Sequence, residues 1–426
     1  MRPTKPFLLL ALIAVLLSAC GGPTSSDIAR SNLQRDKNPN LSESDLQTLV
    51  DGNNAFALDI YQSLRPSDGN LILSPYSISI ALAMTYAGAR GETESQMADV
   101  LHFDQGQDAT HSAFNALDLE LAQRGESGSD RDQEPMQLNI ANAVWAEQTF
   151  PFLQDYLDTI AVNYGAGIRL ADFITQSDPT RKEINSWVSD QTKDKINNLL
   201  PDGSLNPDTR MVLVNAIYFK ADWLDQFEAD DTQEAPFHLL DGSQVTVDMM
   251  SQSMHGFPYA KGDGYQAVEL AYAGESAAID IIVPDEGRLE EFEASFDQAV
   301  FKGIIGEMQP VSLTLGLPKF EFTKDFNLSD TLTVMGMSDA FDRGLADFSG
   351  MSIKEDLFIS DVIHKAFVAV DEEGTEAAAA TAVIMELAGA AMSDVTLTID
   401  RPFIFIIRDT ATGQILFIGR VLNPAQ

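Results

Sequence analysis

Residues 211–219 read MVLVNAIYF, nine residues without a charge and with one polar side chain. An apolar run of this length without alternation suits a strand whose two faces are both covered, and so the middle of a sheet. Other strands follow at 278–284 (AIDIIVP), 311–322 (VSLTLGLPKFEF) and 362–370 (VIHKAFVAV), and a hairpin closes the chain at 402–408 and 414–421. The first half reads differently. Leu46, Leu49, Val50, Phe56, Ala57, Ile60 and Leu64 recur at helical intervals behind a capped start at Ser44 and Gln47. Ser74-Pro75 opens a helix over 75–88 that is apolar nearly all round and so buried. Thr93 and Gln96 mark a further capped start. Asp178-Pro179 opens a helix with Ile184, Trp187, Val188 and Ile196 inward. Helices first and strands later predict an α+β fold with large antiparallel sheets, not a βαβ repeat. Length alone, at 426 residues, would favour two or three domains. Residues 124–135 read as a mobile surface loop.

Charge limits the partners. Lys plus Arg number 27 against 64 Asp plus Glu, a formal charge of −37. Such a surface repels nucleic acid and also a sulfated, heparin-like activator. At the N-terminus, Arg2 and Lys5 precede the apolar run 7–19, which suits a signal peptide and is too short to span a bilayer. Leu17-Ser18-Ala19-Cys20 resembles a bacterial lipobox, with an ordinary cleaved signal as the alternative. The resemblance implies a signal peptide over 1–19, lipid on Cys20 and attachment to a bacterial envelope. Gly21, in place of an aspartate, points to the outer membrane. Cys20 is the only cysteine, so the body can form no disulfide. Residues 20–43 are expected to be the lipidated cysteine and a flexible tether, and 44–426 the folded domain.

The usual catalytic constellations are missing: G-x-S-x-G, S-x-x-K and H-E-x-x-H do not occur. The five histidines (102, 111, 238, 255, 364) are scattered. Gly262-Asp263-Gly264 imitates a dinucleotide fingerprint without its strand-to-helix context, so a hairpin turn is expected there. No enzyme activity, cofactor or metal is expected.

Several blocks, in order, are similar to the serpin family: 70–103, 184–203, MVLVNAIYFKADWLDQF (211–227), LPKFEF (317–322), ADFSGM (346–351), HKAFVAVDEEGTEAAAATAV (364–383) and 401–424. The resemblance covers roughly 46–426 and implies a single domain, monomeric, of three β-sheets and eight or nine helices with an exposed reactive-centre loop at about 372–395. It implies that Ser74, Ser77, Asn215 and His364 form the shutter, a hydrogen-bonded cluster beneath the main sheet, and that Trp223 marks the breach where the loop enters. Ala221 departs from the family's usual glycine, and a small local adjustment is expected.

The loop corresponds to EEGTEAAAATAVIMELAGAAM (372–392), which propensity alone would make a helix. Serpins inhibit by being cut: the acylated loop inserts as a new strand and drags the protease with it. Small side chains and the lack of proline suit a segment that is first loop and then central strand. The hinge comprises Glu372, Gly374, Thr375, Glu376, Ala377, Ala378, Ala379 and Ala380, with Gly374 expected for its freedom in φ. If Thr375 points inward, so do Ala377, Ala379, Thr381, Val383 and Met385, leaving Glu376 and Glu386 on the other face. Family spacing puts the cleaved bond at Ala388-Gly389, with Met385, Leu387, Ala391 and Met392 as alternatives. None is basic, so elastase-, subtilisin- or chymotrypsin-like serine proteases are the expected targets, with papain-like cysteine proteases open as well. A non-inhibitory binding or scaffold module is the competing reading.

Overall fold

The computed structural model describes residues 27–124, 136–354, 356–375 and 395–426. Cys20, Glu376, Ala377, Ala378, Ala379, Ala380, Met385, Leu387, Ala388, Gly389, Ala391 and Met392, together with the expected loop 124–135 beyond its first residue, lie outside the described residues. The first half carries β1 (Ile28–Ala29), α1 (Glu43–Leu64), β2 (Leu71–Leu73), α2 (Pro75–Tyr86), α3 (Gly91–Leu101), α4 (Gln107–Arg124), β3 (Gln137–Glu147), α5 (Gln154–Tyr164), β4 (Ile168–Ala171) and α6 (Phe173–Gln191). Strands then dominate: β5 (Met211–Asp222), β6 (Gln233–His238), β7 (Gln244–Gly262), β8 (Tyr265–Ala271) and β9 (Ala277–Pro284). After α7 (Leu289–Ser295) and α8 (Gln298–Glu307) come β10 (Gln309–Pro318) and β11 (Phe320–Asn327). Past α9 (Ser329–Met335) lie β12 (Asp361–Val370), β13 (Gly374–Thr375), β14 (Val395–Thr398), β15 (Phe403–Asp409) and β16 (Ile415–Val421).

Among the described residues the main sheet has seven strands in the order β1-β4-β3-β5-β13-β12-β11. The other two expected sheets share β7. One joins β14, β10, β7 and β6, and the other continues through β8, β9, β15, β16 and β2. The fold is thus the α+β arrangement of three sheets and, among the described residues, nine helices. The run 211–219 is β5, buried throughout, with both faces covered as its composition requires. Val212, Val214 and Ala216 pack beneath α6 with Ile184 and Val188, while Met211, Leu213, Ile217 and Phe219 face the main core.

Several expected boundaries move. The first helix is capped by Ser42, whose Oγ accepts from the Asp45 N–H at 3.1 Å, not by Ser44. Thr93 lies inside α3, which begins at Gly91, because its hydroxyl accepts from the Asp347 N–H. The helix expected from Asp178 begins at Phe173 and kinks at Gln176, and Asp172 is its cap. The single strand expected over 311–322 divides at Lys319, where the chain passes from one sheet to another. Gly262 and Tyr265 pair across a hairpin, with Gly264 at φ +82°, as a turn demands.

The expected tether is the largest correction. From Asp27 the chain lies on the body: β1 pairs with β4, and Arg35 forms a 2.7 Å ion pair with Asp118. Polar residues without periodicity suggest a free segment, but here they bond to α4, α5 and the sheet edge.

A buried carboxylate, Asp280, adds a pH dependence. Glu269 and Asp280 stand directly opposite on β8 and β9, and Arg408 of β15 bonds both, reaching Asp280 at 2.8 Å. Burial pushes the Asp280 carboxyl up to about 7; Arg408 pulls against this and Glu269 adds to it. The folded chain therefore keeps a proton that the unfolded chain releases above its ordinary value. The associated stability is complete in acid and is lost as pH rises through about 7. Thermal unfolding from about pH 4 to pH 8 is expected to show a slope of up to ~1.4 kcal/mol per pH unit that Asp280→Asn removes.

Candidate functional site

β5 and β12 run parallel and side by side from Val212 opposite Asp361 to Tyr218 opposite Phe367. Above that row they part. Gly374 and Thr375 enter the opening as β13, antiparallel to both neighbours, with Thr375 opposite Ala221 on one side and Val370 on the other. An added strand here replaces one parallel ladder with two antiparallel ones, the slightly more stable pairing.

Gly374 is needed at this position, but not for the expected reason. Its backbone is not left-handed; a Cβ would stand 2.2 Å from the Ala221 carbonyl oxygen and 2.7 Å from the Asp222 Cα. Close approach of two backbones, not freedom in φ, selects the glycine. Ala221, the departure from the family pattern, is itself 1% exposed.

The entry is held by polar contacts around Trp223. Its indole Nε1–H donates to the Asp371 carbonyl at 2.9 Å, and its ring stacks on Tyr272 at 4.8 Å and 8°. Trp223 and Phe227 N–H groups donate to the carbonyls of Glu373 and Glu372. The Asp371 carboxylate accepts from the N–H groups of Glu373 and Gly374 at 3.0 and 3.2 Å. Glu372 is gripped from two sides, by the Thr232 hydroxyl at 2.8 Å and the Lys319 ammonium at 2.7 Å. Burial acts to raise the Glu372 carboxyl, but these two bonds outweigh it and hold it below its ordinary value. The Thr375 hydroxyl shares a 2.6 Å hydrogen bond with the Tyr272 hydroxyl, and Thr375 is 1% exposed. Thr375 does point inward.

Lower in the sheet, Asn215 and His364 are opposite each other on β5 and β12. The Ser74 N–H donates to His364 Nε2 at 3.1 Å. A backbone N–H can only donate, so Nε2 accepts and the ring proton sits on Nδ1, which donates to Asn215 Oδ1. Burial pushes the His364 imidazole down to about 3, so the ring stays neutral. The Asn215 amide donates to Ser77 Oγ and to Asn142 Oδ1. Ser77 Oγ–H donates to Asn142 Oδ1 at 3.2 Å, and Asn142 returns a bond to the Ser77 carbonyl at 3.1 Å. Ser74 also caps α2, its Oγ accepting from the Ser77 N–H.

All four expected shutter residues therefore meet, and Asn142, which was not expected, completes the cluster. Its signal is in QLNIANAVWAE: Asn142 shares its parity with Leu138, Ile140 and Val144, so a polar side chain falls on an apolar face. Trp223 stands at the entry point. Thr232, Tyr272, Lys319 and Asp371 were also missed; each acts through a partner distant in sequence.

A family model described as serpin (serine protease inhibitor) matches residues 51–424. The chain belongs to the serpin family. An uncharacterized serpin-like protein of Thermococcus kodakarensis is 38% identical, with 99% of each chain covered. Leukocyte elastase inhibitor of Xenopus tropicalis is 40% identical over 87% of this serpin and 97% of the relative. The crystal structure of tengpin, a thermophilic serpin, in its native state matches with a TM-score of 0.80 at 29% identity, covering 93% of this chain and 97% of that one. Protease inhibition is the activity that the family description names.

Proposed function

We propose that this serpin is a suicide inhibitor of serine endopeptidases of the elastase, subtilisin or chymotrypsin type, not an enzyme, and that it is displayed as a lipid-anchored monomer on a bacterial outer membrane. The observation that carries inhibition is β13: two hinge residues, Gly374 and Thr375, already occupy a strand position between β5 and β12. Continued in the same register, the loop sequence would set Thr381 opposite both Asn215 and His364, and Met385 opposite Met211. A hydroxyl would then arrive where insertion separates the His364–Asn215 bond, offering each a new partner. The alternation of the loop agrees, since Ala377, Ala379, Thr381 and Val383 share the inward parity of Thr375. The lipid anchor is supported by the sequence around Cys20, and the apolar target class by the residues near Ala388.

Incubation with a panel of elastase-, subtilisin-, chymotrypsin- and papain-like proteases tests the reading. An SDS-stable covalent complex with at least one serine protease is expected, with mass spectrometry placing the cut between 385 and 392. Turnover cleavage by every protease, with no complex and no gain in thermal stability after nicking, would favour the scaffold reading instead.

A further inference from the structure

The N-terminal segment decides which end of the molecule can face a membrane. Leu170 donates its N–H to the Asp27 carbonyl at 2.8 Å, and Ile28 and Ala29 pair antiparallel with Arg169 and Ile168. Ser31 is 8% exposed and hydrogen-bonds Asp158. Arg35 crosses to α4, where it donates to Asn115 Oδ1 at 2.8 Å and meets Asp118. Asn115 donates to the Asp36 carbonyl at 2.8 Å, and the Asp36 N–H reaches the Val162 carbonyl at 2.9 Å. The seat for β1 needs Gly167, whose Cβ would lie 2.8 Å from the Ala29 carbonyl oxygen.

Strand register gives the direction. Leu170 is opposite Ala146, which is opposite Met211 at the start of β5. Thr375 enters opposite Ala221, ten residues further along β5, or about 33 Å at the rise of a strand. β4 runs parallel to β3 and against β5, and β1 runs against β4, so the chain traced backwards through β1 heads away from the reactive loop. Only residues 21–26 then separate Asp27 from Cys20, a reach of at most about 25 Å. Were the segment free up to α1, the reach would be roughly 80 Å.

We infer that a chain anchored through Cys20 stands on the pole of the main sheet formed by the start of β5 and the end of β3, with its reactive loop facing away from the lipid surface. This rests on the proposed anchor, but its test does not. Because Cys20 is the only cysteine, a maleimide-headgroup lipid in phosphatidylcholine vesicles attaches the chain from Cys20 onward at that residue alone. A donor dye is carried by a noncanonical residue in place of exposed Asp208, near Met211, or of exposed Asp230, beyond Asp222. Energy transfer to acceptor headgroups is expected to be several-fold stronger from position 208 than from position 230. Gly167→Val, which unseats β1, should bring the two efficiencies together. Equal transfer in the parent, or polarity that persists in Gly167→Val, would overturn the inference. Mass spectrometry of Cys20 from the producing cell is read separately, and an unmodified thiol there overturns the anchor alone.

Discussion

Thr375→Arg should convert this serpin from an inhibitor into a substrate. Thr375 is 1% exposed, with its hydroxyl 2.6 Å from that of Tyr272, at the first row of the strand that must grow down the sheet. An arginine there would have to bury a guanidinium in a site that now holds two hydroxyls, at a cost of several kcal/mol. Each 1.4 kcal/mol slows insertion about tenfold, while hydrolysis of the acyl-enzyme is unaffected. The yield of SDS-stable complex with an elastase-like protease should fall by about a hundredfold or more. Cleavage of the loop should continue, and Thr375→Ser should retain the complex. A wild-type yield from Thr375→Arg would sink the insertion mechanism.

His364→Ala should loosen the closed sheet itself. The substitution strands the Ser74 N–H and the Asn215 Oδ1, both buried, and leaves a cavity between β5 and β12. Each orphaned group costs about 1–3 kcal/mol, and the cavity adds to that. A total of roughly 3–6 kcal/mol is a large part of a typical folding margin. The midpoint of thermal unfolding should drop by roughly 4–8 °C. Size-exclusion chromatography after mild heating should show conversion to inserted or polymeric forms well before the wild type converts. Because burial keeps the folded ring neutral while the unfolded ring takes up a proton below its ordinary value, the loss should be about 1 kcal/mol smaller at pH 5.5 than at pH 8. A midpoint within about 1 °C of wild type would show that the cluster does not hold the strands together.

The candidate site was legible where one polar residue interrupts an apolar face. Asn215 within MVLVNAIYF and His364 within VIHKAFVAV are such residues, and the family resemblance placed both in the shutter with Ser74 and Ser77. Asn142 carries the same signal in QLNIANAVWAE, but that segment was not recognised as a strand. The residues around Trp223 gave no sign of its role, because an indole in a core is ordinary; only the family resemblance placed it at the breach. Its meaning comes from Asp371, which is distant in sequence and becomes a neighbour only when β12 and β5 part.

The sequence by itself determined that β5 is a central strand, that helices precede the sheets, and that the hinge is small and alternates in polarity. These follow from the period of apolar residues along one element, a local property. Tertiary structure alone decided that Gly374 serves close backbone approach, and that residues 27–36 bind the sheet edge, α4 and α5 instead of hanging as a tether. Each of these depends on which backbone lies within about 3 Å of a given atom. No periodicity along the chain encodes that neighbour; it exists only once the sheets have assembled.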